Sequence, residues 1–148
     1  MTQAIQATVD VKDLPISFRY SKEICRFLGH KDLTLAKKEL SLVLKKKLAI
    51  PLHEFNRDRG HRKGKVGPGA FPQKSTKYIL KMLLSGEANA SDKGMNVNSL
   101  YIKELIPNKG ATTWRSRRRR SMAKRTNLKI ILEERAKKWL KDNLLTKR

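Results

Sequence analysis

The chain reads as an α+β protein on three observations. Leu33–Leu44 and Gln73–Ala90 carry apolar residues at helical spacing, whereas Ser99–Pro107 and Thr126–Glu134 carry them at the two-residue period of strands. The segment joining those two strands holds eight Lys and Arg residues and no acid, which fits the turn-side of a hairpin better than a core element.

Taken in order, Ile16–Tyr20 reads as a short strand because Phe18 and Tyr20 favour β structure. Ser21 is then placed to cap a short helix through Leu28, stopped by Gly29. In the next helix Leu33, Ala36, Leu40, Val43 and Leu44 share a face, with Asp32 or Thr34 at its start. Lys45, Lys46 and Lys47 crowd its C-terminal end, where the helix dipole favours cations, and Pro51 lies beyond. Pro51–Pro72 interleaves Arg57, Arg59, Arg62, Lys63 and Lys65 with Gly60, Gly64, Gly67 and Gly69, and has almost nothing to bury. It reads as an irregular basic loop, ordered on a partner.

The helix over Gln73–Ala90 buries Ser75, Ile79, Leu83 and Ala90, and sets Lys74, Lys77 and Lys81 along one stripe. Ser91–Asn98 is a turn-rich break around Gly94. In the last strand Leu128, Ile130 and Leu132 share one face and Lys129, Ile131 and Glu133 the other. Leu100 and Ile102 keep register in its partner, but Leu105 and Ile106 break the period, which calls for a bulge. Arg135–Arg148 reads as a helix through Ala136, Trp139, Leu140 and Leu144.

The protein has 148 residues, a length that suits one domain. Its formal net charge of +22 destabilises a compact state by self-repulsion and asks for a polyanionic partner. A membrane is the weakest candidate, because no apolar run approaches the roughly 18 residues of a spanning helix. Met1–Asp10 lacks the basic start of a signal peptide, and the single Cys25 fits a reducing, cytoplasmic compartment.

The strongest chemical signal is Asn108–Arg125, with Lys109, Arg115, Arg117, Arg118, Arg119, Arg120, Lys124 and Arg125. No acid occurs from Leu105 to Leu132. A two-stranded hairpin with such a tip is marginal alone, and phosphates supply the missing partner. Arginine's planar fork matches a phosphate and stacks on bases, and Trp114 adds a stacking surface suited to RNA loops. Neutralising on the order of ten phosphates gives steep salt dependence without base reading. A basic tail or localisation patch is the plainer reading of Arg117–Arg120 taken alone. The lysine stripe, likewise, is in the usual case a solvated face.

Other chemistries find little support. His30, His53, His61 and Cys25 lack metal-ligand spacing, so no metal or cofactor is expected. Gly60–Lys65 is not in phosphate-loop order, and no strand feeds it. Glu133 and Glu134 point to opposite faces of a strand, and Glu87 reads as a surface partner for a lysine. Neither an enzyme nor a small-molecule site is expected. A DNA-compacting protein is the alternative, although a helix-turn-helix needs a short turn where this chain has Pro51–Pro72. An RNA chaperone without a fixed site is a third.

Several segments together resemble one family, ribosomal protein twenty-two of the large subunit, called protein seventeen in eukaryotes. Ile16–Arg26 resembles its first strand and helix entry, and Pro51–Asn56 (PLHEFN) is similar to an element of its archaeal and eukaryotic branch. Phe71–Ala90 resembles its third helix, including the ending Glu87-Ala88-Asn89-Ala90. Lys124-Arg125-Thr126 with Ile130-Ile131-Leu132 looks like the returning hairpin strand. The resemblance covers roughly Asp13 to Glu134.

It implies an α+β fold, a small three-stranded antiparallel sheet with three helices and a long protruding β-hairpin. It also implies large-subunit ribosomal RNA and neighbouring ribosomal proteins as partners, and a hairpin tip, Ala111–Met122, near the nascent peptide in the exit tunnel. Within one domain, residues 51–72 would be the basic loop, 99–134 the hairpin and 135–148 a helical extension. The tip departs from the family in lacking its usual Pro-Arg-Ala element and in being shortened. The Pro51–Pro72 insertion argues against a bacterial source.

Overall fold

A computed structural model describes residues 5–64, 66–115 and 121–135. Its elements run β1 (Gln6–Leu14), α1 (Phe18–Leu28), α2 (Leu33–Leu44), β2 (Ile50–Pro51), β3 (His61–Arg62), β4 (Gly67–Ala70) and α3 (Gln73–Asp92). A 3-10 turn (Val97–Ser99) then leads into β5 (Leu100–Lys109) and β6 (Thr126–Glu134). Lys65, Arg117–Arg120 and the expected helix beyond Arg135 lie outside the described residues.

The main sheet is antiparallel in the order β1-β6-β5. Alternation explains why β6 takes the centre: Leu128, Ile130 and Leu132 are buried on one face, where they meet Val11, Val9 and Ala7 of β1. On the other side of β6, Ile102 stands opposite Leu132 and Leu105 opposite Ile130. Two residues on β5 therefore face one step on β6, and the extra one is Lys103. The bulge expected here sits two residues earlier than the broken period and explains it. One inserted residue reverses the parity of a strand, so Leu100 and Ile102 share a face with Leu105 and Pro107.

α1 packs on β5, α3 on β1 and β6, and α2 on α3, which closes one apolar core over one face of the sheet. Gly86 permits the closest approach: a Cβ there would lie 2.9 Å from Leu132 Cδ1 and 3.4 Å from Val9 Cγ2. Lys37 Nζ bonds both carboxylate oxygens of Glu87 at 2.7 Å, as the solitary helix glutamate led one to expect.

Two readings are corrected. Ile16–Tyr20 is not a strand, because Phe18 already begins α1 and only Ile16 and Ser17 precede it outside the helix. The amphipathic pattern of Ser21, Ile24, Cys25 and Leu28 overrides the β-propensity of Phe18 and Tyr20. The sheet's third strand is instead β1, built on the alternation Ala7, Val9, Val11. Pro51–Pro72, finally, is not without structure. Leu52 and Ala70 are buried, and β2, β4 and β3 pair into a second small sheet. Gly69 is what lets it close, since a Cβ there would meet Arg62 Cγ at 2.9 Å and Ala49 Cβ at 3.3 Å.

Candidate nucleic-acid interface

Pairing between β5 and β6 brings Lys109, Arg115, Lys124 and Arg125 onto one antiparallel arm. It continues past the strand ends through Gly110 N–H to Arg125 O at 3.0 Å, Ala123 N–H to Thr113 O at 2.8 Å and Arg115 N–H to Ser121 O at 3.0 Å. Trp114 thus stands opposite Met122, both largely exposed, with Trp114 at 67%. Lys109, Arg115 and Lys124 are exposed along the arm. Arg125 is half-buried and does something else: its Nη1 donates to Asp13 O at 3.1 Å. Asn127 Oδ1 accepts from Asp13 N–H at 2.8 Å, so the base of the arm is braced to the end of β1, where Asp13 takes a left-handed φ of 56°. β1 covers β6 as far as Thr126, so the arm grows from a three-stranded sheet rather than from an isolated hairpin.

A second set surrounds the small sheet. Arg57, Arg59, Arg62 and Lys63 are exposed, and so are Lys74, Lys77 and Lys81 at the start of α3, just after β4. Two of these arginines are already held by the protein. Arg62 Nε donates to Gly69 O at 3.2 Å with its guanidinium over the Phe71 ring, and Arg59 donates to the Tyr20 hydroxyl at 2.5 Å. The loop and α3 cations stand on elements separate from the arm.

Five of the described carboxylates form ion pairs, all with other bases: Glu54 with Lys22 and Arg26, Glu39 with Lys31, Glu87 with Lys37, Glu133 with Lys103 and Asp32 with Arg135. Among the described residues, none of the site cations shares in an ion pair. These ion pairs among the described residues thus use other bases, and the arm, the loop and the stripe remain net positive surface, the arrangement that attracts a polyanion.

Sequence reasoning missed two buried carboxylates that shape these surfaces. Glu133 Oε1 accepts from Gln6 Nε2 and Lys103 Nζ at 2.6 Å each, and its Oε2 accepts from the Tyr101 hydroxyl at 2.8 Å. The Lys103 bond outweighs burial and holds the Glu133 carboxyl below the usual carboxylate range. The same carboxylate raises Tyr101 and Lys103. Glu23 Oε1 accepts three successive backbone N–H groups, from His53, Glu54 and Phe55, at 3.1, 2.8 and 3.2 Å. Burial acts to raise that carboxyl, and the three amides together overcome it and lower it. Partners some 30 residues away leave no local signature in the sequence.

Cys25 is buried, and burial pushes its thiol up to about 12. His30, His53 and His61 are exposed, and no group of three or more potential metal ligands occurs among the described residues. No described helix is long and apolar enough to cross a membrane. α2 and α3 are joined through the small sheet, not by the short turn that the DNA-binding alternative needs.

The family model for ribosomal protein L22p/L17e matches residues 9–131, from β1 through the arm and most of β6. The chain belongs to the L22p/L17e family. Large ribosomal subunit protein uL22 of Nanoarchaeum equitans is 41% identical over 130 residues, covering 82% of this chain and 75% of that protein. Its counterpart in Archaeoglobus fulgidus is 41% identical over 100 residues, 66% of this chain and 64% of that protein. That of Methanocaldococcus jannaschii is 34% identical over 131 residues, 83% of this chain and 84% of its own. As an L22p/L17e member the chain is a structural protein of the large ribosomal subunit, ribosome-bound in the cytoplasm, and not an enzyme.

Proposed function

We propose that this L22p/L17e protein binds large-subunit ribosomal RNA through phosphate contacts on two surfaces, and that its β5–β6 arm reaches the nascent-peptide exit tunnel. The observation that carries the reading is the separation of charge. The acid-free arm presents Lys109, Arg115 and Lys124 without ion-pair partners among the described residues, with Arg117–Arg120 between Arg115 and Ser121 in the chain. The Pro51–Pro72 segment and the stripe Lys74, Lys77 and Lys81 supply the second surface. Guanidinium forks suit phosphate oxygens, and A-form RNA exposes backbone rather than base edges to such contacts. Trp114 supplies a face on which an unpaired base stacks. Arg125 is also a brace for the arm's base.

On this reading the body sits among neighbouring large-subunit proteins, and the segment around Trp114 and Met122 lies beside the nascent chain. Chemical footprinting of large-subunit RNA with wild-type protein and with an Arg117–Arg120→Ala variant tests it. One set of protections should vanish in the variant while a second set persists. A protein that sediments free of large subunits at low salt would refute the proposal.

A further inference from the structure

Glu23 does more than satisfy three amides. By holding His53, Glu54 and Phe55 against α1, it lays the first part of the basic segment along the exposed face of that helix. Two arginine–aromatic pairs form across the seam. Arg19 of α1 lies over the Phe55 ring at 5.5 Å from its centroid, and Arg59 lies over the Tyr20 ring at 5.7 Å. Each guanidinium comes from one segment and its ring from the other, so the pairs exist only while the segment is docked. Nearby Lys22 bonds Glu54 at 2.7 Å and Arg26 approaches it at 3.8 Å, which partly neutralises those two. Arg19, Arg57 and Arg59 are exposed and have no ion pair among the described residues.

We propose that Arg19 and Arg59, stacked on Phe55 and Tyr20 and held in place by the Glu23 anchor, form a preformed phosphate-binding pair for the ribosomal RNA backbone, a site distinct from the β5–β6 arm. It deepens the rRNA-binding reading above and rests on it. A guanidinium already lying on a ring keeps donors at its rim for phosphate oxygens, and loses less side-chain entropy on binding than a free one. Lysine cannot replace that geometry, because its ammonium is a point charge on a flexible stem. Glu23 is a positioning residue: it touches no phosphate and acts through the backbone of residues 53–55. The expectation that the whole basic segment orders only on its partner therefore fails for its first part.

The test is the salt dependence of binding between the full-length protein and deproteinised large-subunit ribosomal RNA. Each phosphate contact contributes roughly 0.7–0.9 to the slope of log affinity against log salt. An Arg19→Ala/Arg59→Ala variant should lose about 1.5 from that slope. The Arg19→Lys/Arg59→Lys variant should recover the slope but only part of the affinity. Glu23→Ala should lower affinity and deprotect the amides of residues 53–55 in hydrogen exchange, while Glu23→Gln, whose Oε1 still accepts, should restore both. A double Arg→Ala variant with the wild-type slope, beside an Arg117–Arg120→Ala variant whose slope falls, would overturn this site and leave the arm's role standing. Wild-type protein with no salt-dependent binding would overturn both. Glu23→Ala that loses protection at 53–55 yet binds as wild type would overturn the anchor.

Discussion

Lys103, the extra residue in β5, sets its Nζ 2.6 Å from Oε1 of Glu133 on the neighbouring strand. The bulge that restores the inward register of Leu105 is thus fastened on the opposite face by an ion pair. Gln6 and Tyr101 complete the ring of donors, so one carboxylate ties all three strands of the sheet together. Replacing Glu133 with Ala removes the acceptor shared by three donors. The expected loss, seen as a lower denaturant midpoint with unchanged slope, is about 1–3 kcal/mol. Lys103→Ala should cost less, because that side chain is 37% exposed and Glu133 keeps two other donors.

Acid sensitivity follows from the same geometry. The Glu23 and Glu133 carboxyls are both lowered in the folded chain, so their stabilisation is complete above the unfolded-state value, roughly 4.3. It is lost as pH falls through their lowered folded values. Tyr101 and Lys103 are raised, so their share is complete below about pH 10 and fades as pH climbs through their folded values. A melting-temperature profile should fall at both ends, and Glu133→Gln should flatten the acid limb relative to wild type. An unchanged acid limb in that variant would remove Glu133 from the explanation.

Legibility from the sequence depended on how local the deciding interaction is. β6 was read at its true bounds because alternation of Leu128, Ile130 and Leu132 with Lys129, Ile131 and Glu133 needs no knowledge of neighbours. α2 and α3 were equally plain from their 3.6-residue spacing. β1 escaped because its inward residues, Ala7 and Val9, are small, and their value lies in fitting under Leu132 and Ile130 far along the chain. The small sheet escaped because glycine-rich segments look unstructured unless the close approach they permit is known. In the candidate site, residue types were legible and roles were not. Arg125 and Arg59 are spent partly on Asp13 O and Tyr20, contacts that span 112 and 39 residues.

Gly86 sets two effects against each other. Alanine in the middle of a helix gains roughly 1 kcal/mol over glycine in propensity. Here its methyl would sit 2.9 Å from Cδ1 of Leu132, a side chain that is fully buried and cannot swing away. Overpacking of that kind costs about 1–3 kcal/mol and wins. Gly86→Ala is expected to be destabilised by on the order of 1 kcal/mol in urea denaturation. A stabilised variant would mean that α3 can lift from the sheet at no cost.

Cys25 offers a probe of opening. Its sulfur is buried and its thiol is pushed up to about 12, so almost no thiolate exists at pH 8. A thiol-reactive dye should label the native protein far more slowly than the urea-unfolded chain, with a rate that rises as denaturant populates open states. Rapid labelling of fully native protein would show that α1 detaches from β5 readily.

Trp114 gives the most direct test of the arm. It stands 67% exposed opposite Met122, in a position where the protein itself gains little from so large an aromatic surface. Trp114→Ala should therefore leave the melting temperature almost unchanged. If a base stacks on the indole, the same change should weaken binding to large-subunit ribosomal RNA by about 1–3 kcal/mol, and Trp114→Phe should recover most of it. The salt slope should stay at the wild-type value, because no phosphate contact is removed. Lost stability with intact RNA affinity would assign Trp114 to the arm's own packing against Met122 instead.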